Sequence, residues 1–142
     1  MTPLRLRADQ HATIIGHCYD GLPDEACGLL IGPVHVNGEP VGPVSEARPC
    51  RNADASARTY TVDPRDLLAA MRAAEARGEE IVGVWHSHTH TAAYPSPTDV
   101  RQAADPAWAY VIVSLADGLP VLHSYRIRDG VIAEQPVEVT RV

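Results

Sequence analysis

The chain contains no lysine, so its twelve basic residues are all arginine. That excludes an internal Schiff-base lysine or a lysine modification target. Long apolar runs are also missing. The longest, around Trp108 to Ala116, is broken by Ser114 and falls far short of the ~20 residues a membrane helix needs. The segment Met1 to Arg7 has no apolar stretch of the secretory-signal kind. Cysteine is sparse: Cys18, Cys27 and Cys50 are odd in number and form no C-x-x-C. This points away from a disulfide framework and from a cysteine zinc site. A reduced, cytoplasmic setting is the expectation. Net charge is −6, with no basic stripe, which disfavours nucleic acid as a partner. No internal repeat and no low-complexity tract is visible.

What is present is ordinary globular material: 142 residues, 45% hydrophobic and 21% charged. That predicts one domain over residues 1–142, large enough to bury a core without staples. Leu4 and Leu6 alternate with arginines as a weak first strand. Asp9 is expected to cap a helix carrying Ile14, Ile15 and Cys18, which ends near Gly21. The apolar run Glu25 to Gly32 reads as a buried strand. Residues 33–49 are rich in proline and glycine. Asn37-Gly38 predicts a hairpin turn there, with Val34, Val36, Val41 and Val44 in its strands. Residues 49–57 read as a loop and Thr59–Val62 as a short strand. Asp63-Pro64 opens a helix with Leu67, Leu68, Met71 and Ala74 on its apolar face, stopped at Gly78. Ile81–Trp85 is a strand running into His86 and His88. Ser96-Pro97 opens a short helix, Trp108–Leu115 is a second buried strand, and Asp129-Gly130 turns a last hairpin. Strands interleaved with helices make a mixed α/β fold, its sheet partly antiparallel.

The chemistry sits in Val84-Trp85-His86-Ser87-His88 and in Asp99, eleven residues later. Residues i and i+2 of a strand share a face, so His86 and His88 project together. Two imidazoles and a carboxylate leave a fourth position open for water, as in a catalytic zinc site. A duller account exists for each part. An isolated H-x-H is most often a strand end with surface hydrogen bonds, and Ser96-Pro97-Thr98-Asp99 has the form of a capping box. Glu25, directly before a buried run, is either a solvated strand edge or a general base for a metal-activated water. His90 continues the alternation and is a lesser ligand candidate. Cys27 shares Glu25's face and reads as a small buried hydrophobe with a minor chance of metal contact.

Glu25, then His86-x-His88, seven residues, Ser96, two residues and Asp99, resembles the JAMM motif of the MPN+ metalloprotease family. The resemblance spans roughly residues 9–115. It implies a single-domain MPN fold, with a mixed, partly barrel-like β-sheet flanked by helices. It implies one Zn2+ per chain on His86, His88 and Asp99, with water as the fourth ligand. Glu25 would activate that water, and Ser96 would hold the oxyanion or orient the Glu–water pair. Many members have proline after the second histidine, where this chain has Thr89. Short bacterial members act on small ubiquitin-like sulfur-carrier proteins, trimming the tail or removing a carried amino acid such as cysteine. Such a carrier is the expected partner, nucleic acid and membrane are not, and a homodimer is left open. Two rivals remain: a non-haem Fe(II) oxygenase, which also uses two histidines and a carboxylate, and a non-catalytic scaffold of the same fold. A zinc deaminase is weaker, because no P-C-x-x-C follows the histidines.

Overall fold

The computed structural model describes residues 1–141. Eight strands and three helices follow one another as β1 (Leu4–Arg7), α1 (Ala8–Asp20), β2 (Cys27–Pro33), β3 (Glu46–Cys50), α2 (Pro64–Ala76), β4 (Glu79–His88), α3 (Pro97–Gln102), β5 (Ala109–Ser114), β6 (Val121–Arg128), β7 (Val131–Gln135) and β8 (Val137–Thr140). Six strands form one sheet in the order β3-β2-β4-β5-β6-β7. Only β4 and β5 pair in parallel within it, and α3 lies in the crossover between them. The sheet is mixed, as the resemblance implies. It does not close into a barrel, and β3 and β7 are its edges. β1 and β8 form a separate parallel pair.

Helices cover both faces. Ile14 and Cys18 of α1 pack with Leu4, Leu6, Leu30, Trp85, Val111 and Val113. Ala70 and Ala74 of α2 pack with Leu29, Ile31, Val84 and Ile112 on the opposite face. With both faces covered, β4 and β5 are buried along most of their length, so they read as continuous apolar runs and not as alternating ones. Period-two alternation puts His86 and His88 on the α2 face with Val84, and Trp85 and Ser87 on the α1 face.

Several sequence expectations are corrected. Helix α1 starts one residue before Asp9, which lies in the first turn and pairs with Arg7 at 2.9 Å. The Gln10 side chain instead accepts from Arg7 N at 2.9 Å. The hairpin expected over 33–49 shrinks to its turn. Asn37 and Gly38 take φ of 54° and 74°, closing a single bridge between Val36 and Glu39. Strand β3 was not expected. It pairs with β2 from Cys50 opposite Cys27 to Glu46 opposite Ile31, and it tolerates Pro49 because it is an edge. Thr59–Val62 is no strand beyond one bridge from Val62 to Asn52. On α2, Leu68 and Met71 are about half exposed; of the expected face Leu67 and Ala74 pack on the core, joined by Ala70.

Candidate metal centre and cleft

His86 and His88 end β4, and Asp99 opens α3. The crossover folds that helix N-terminus back over the strand end. His86 Nε2 and His88 Nε2 lie 3.1 Å apart. Asp99 Oδ2 lies 3.2 Å from the first and 3.1 Å from the second. These three are a group able to hold a metal ion among the described residues. Tetrahedral zinc with bonds near 2.0–2.1 Å would set its donors about 3.3 Å apart, so the triangle has nearly the right edge on all three sides.

The proton inventory agrees. His88 Nδ1 donates to Ala92 O at 2.8 Å, so neutral His88 presents only a lone pair at Nε2. That lone pair faces a carboxylate oxygen, an arrangement that calls for a cation. Burial lowers the His88 pKa, yet Asp99 and the Ala92 carbonyl outweigh it and the net shift is upward. Burial keeps His86 neutral, lowering its pKa despite the Asp99 hydrogen bond. Asp99 is the ionised member. Burial opposes its charge, but hydrogen bonds from the two histidines hold its carboxyl well below the usual range. Neutral imidazoles and an ionised carboxylate are the forms a metal takes up.

The supports are as specific as the donors. The ring of Tyr60 stacks on His86 with centroids 4.3 Å apart. Three successive carbonyls of the 89–95 loop are pinned. Thr91 O accepts from Ser114 Oγ at 2.6 Å, Ala92 O from His88 and Ala93 O from the Tyr125 hydroxyl. Ser96 caps α3: its Oγ accepts from Asp99 N at 3.0 Å, while its own N–H donates to Asp99 Oδ2 at 2.9 Å. The capping box and the donor triangle therefore coexist, sharing one carboxylate oxygen.

Glu25 is buried just before β2, with 6% of its surface exposed. Burial pushes its carboxyl up to about 7, with His88 opposing and Asp99 adding to the rise. Ser87, between the two histidines, joins the base strand to the ligand strand. Its Oγ accepts from Ala26 N at 2.8 Å, and its N–H donates to Ala26 O at 3.0 Å. Glu25, Ser96 and His88 line one cleft with Arg58, Thr89 and His90. His90 is exposed and stands outside the donor triangle. Cys27 is also outside it, its thiol directed to Arg51 O at 3.6 Å.

Sequence reasoning missed three participants. Tyr60 and Asn52 lie in a segment without periodicity, and only tertiary contact reveals them. Asn52 Nδ2 donates to Glu25 O at 2.9 Å and Thr59 O at 3.0 Å. Its Oδ1 accepts from Asp54 N at 3.0 Å and Thr61 N at 3.1 Å. The third is Thr89, noted in the sequence only as a departure from proline. Its hydroxyl donates to Ala57 O at 3.1 Å, which ties the 52–61 loop to the end of β4.

The family described as prokaryotic homologs of the JAB domain matches residues 7–128. The chain belongs to the prokaryotic JAB family. It is 42% identical over 137 residues to the CysO-cysteine peptidase of Mycobacterium tuberculosis, covering 96% of this chain and 90% of that one. A desampylase of Haloferax volcanii is 33% identical over 127 residues, covering 86% and 87%. The solution structure of a Desulfitobacterium hafniense protein superposes with a TM-score of 0.84 at 32% identity, covering 98% and 94%. In this JAB domain the donor triangle, Glu25 and the cleft all lie within the matched span.

Proposed function

We propose that this JAB-family chain is a zinc-dependent peptidase acting at the C-terminal tail of a small ubiquitin-like sulfur-carrier protein, where it releases a carried amino acid such as cysteine. One domain over residues 1–142 carries one ion on His86, His88 and Asp99. The observation that supports this most is the equal-sided donor triangle beside a buried acid of near-neutral pKa. The names of the mycobacterial and haloarchaeal relatives support the substrate class.

When bound, the ion supplies Lewis-acid polarisation of a carbonyl and acidification of a water molecule. The chain supplies the rest. Glu25 takes a proton from the attacking water and gives it to the leaving amine, the two halves of general acid–base catalysis. Ser96 Oγ already accepts from Asp99 N, so its hydroxyl hydrogen is free to donate toward the developing oxyanion. Tyr60 and the pinned 89–95 loop hold the imidazoles in place. The donor set lies within one chain, so the reading requires no second copy. Among the described residues no helix is long and apolar enough to cross a membrane, which fits a cytoplasmic setting.

The test is zinc content together with product masses from a carrier–cysteine conjugate, for wild type and Glu25→Gln. Both proteins should bind one zinc. Turnover by Glu25→Gln should fall by about 10²–10⁴-fold, the range general acid–base catalysis contributes. Wild-type-like turnover at full zinc occupancy removes Glu25 from this role. Activity restored by iron alone overturns the hydrolase reading.

A further inference from the structure

Most arginines of this acidic chain are paired. Arg5, Arg7, Arg48, Arg51, Arg65, Arg77 and Arg126 each meet a carboxylate. Arg58 does not. Among the described residues its guanidinium has neither ion pair nor hydrogen bond, and Arg58 lines the cleft that holds Glu25, His88 and Ser96. Its backbone, by contrast, is held firmly. Ser56 Oγ accepts from Arg58 N at 3.1 Å, and Glu25 N donates to Ser56 O at 2.8 Å. Ala57 O accepts from Thr89, and Thr59 O accepts from Asn52. The loop is thus fastened to Glu25 itself and to Thr89 at the end of β4, with Arg58 lining the cleft.

An arginine is always charged and offers a planar fork of donors matched to a carboxylate. A leaving amino acid at a chain's C-terminus carries a free α-carboxylate two bonds from the amine that Glu25 would protonate. We infer that Arg58 binds that α-carboxylate and makes the enzyme select tails ending at the residue it releases. This rests on the peptidase reading above. Arg58 is a specificity residue here: it recognises where the chain stops and does not take part in the proton transfers. The fastening of its loop by Thr89, where proline would have no hydroxyl to give, is part of the same device.

The experiment uses the CysO–cysteine species named by the mycobacterial relative, prepared with its terminal carboxyl free or as the amide. Zinc-loaded wild type should cleave the free acid with kcat/KM about tenfold or more above the amide, the scale of one charge-assisted contact. Arg58→Gln should raise KM for the acid with little change in kcat, leave the amide unchanged and so erase the preference. Arg58→Lys should restore part of it, which a merely structural role would not. His90→Gln, which removes the other exposed basic side chain of the cleft, should leave the preference intact. If wild type cleaves both forms equally, the inference falls and the peptidase reading stands. If it cleaves neither, the peptidase reading itself falls. A preference lost in His90→Gln but kept in Arg58→Gln moves the role away from Arg58, and an equal loss on both substrates in Arg58→Gln makes it a general docking residue.

Discussion

Gly28→Ala should be among the most damaging single-methyl changes in this protein. A Cβ at Gly28 would lie 2.1, 2.3 and 2.5 Å from three carbons of the Trp85 indole. Carbon pairs rest at about 3.5–4.0 Å, so ring or strand would have to move by more than an ångström. The ring has nowhere to go. Trp85 is fully buried, and among the described residues its Nε1 has no hydrogen-bond partner, so packing sets its place. Gly28 and Trp85 are also direct partners across the β2–β4 ladder. Overpacking costs typically about 1–3 kcal/mol, and this site belongs at the upper end. A loss of about 3 kcal/mol would lower Tm by roughly 6–12 °C in a chain of this size. Because Trp85 precedes His86, zinc affinity should fall with it. Gly16→Ala is the matched control, since a Cβ there meets nothing within 4 Å, and it should stabilise α1 by up to about 1 kcal/mol. Thermal melts and a zinc titration decide the matter. A Gly28→Ala protein melting within 2 °C of wild type, roughly the shift of half a kcal/mol, with unchanged zinc affinity would refute the packing argument.

Other outcomes follow from the same geometry. Asp99→Asn keeps an oxygen to accept from Ser96 N but loses the charge. Circular dichroism should be unchanged, while zinc affinity drops by more than the roughly 10–100-fold that loss of a supporting residue costs. Asn52→Ala removes four hydrogen bonds from the loop beside Glu25. It should cost about 1–3 kcal/mol, seen in urea melts, and should reduce turnover at full zinc occupancy. In zinc-free protein Glu25 has a folded pKa of about 7, above its unfolded value of about 4.3. Its contribution to stability is therefore complete below the unfolded value and is lost as pH rises through 7. Denaturation midpoints across that window should decline in wild type relative to Glu25→Gln, and parallel profiles would contradict the burial of Glu25.

Much of this was legible where a local rule and the tertiary structure agree. The Asp63-Pro64 start of α2 holds, with Asp63 accepting from Arg65 N at 2.8 Å. The period-two placement of His86 and His88 on one face survives because β4 runs through His88. At Asp99 capping and the donor triangle use the same oxygen, so the cap leaves the metal reading open. The misses share a cause. β3 has no apolar alternation, since Glu46, Arg48 and Pro49 lie on an edge partly open to water. Tyr60, Asn52 and Arg58 sit in irregular backbone and acquire meaning only from what packs against them. Leu68 and Met71 have helical spacing but are about half exposed, while Leu67, Ala70 and Ala74 face the core.

The three donors do not rest on equally firm ground. Two belong to a ten-residue central strand, while the third starts a six-residue helix with no buried residue. A helix that short is marginal on its own, so Asp99 is held by its cap, by Val100 packed on the core and by the ion it would share. Fraying of α3 would open the coordination shell from one side while both imidazoles stayed in register. The ion's residence time would then be set by that short helix and not by the unfolding of the sheet, and zinc should exchange with chelators far faster than the protein denatures.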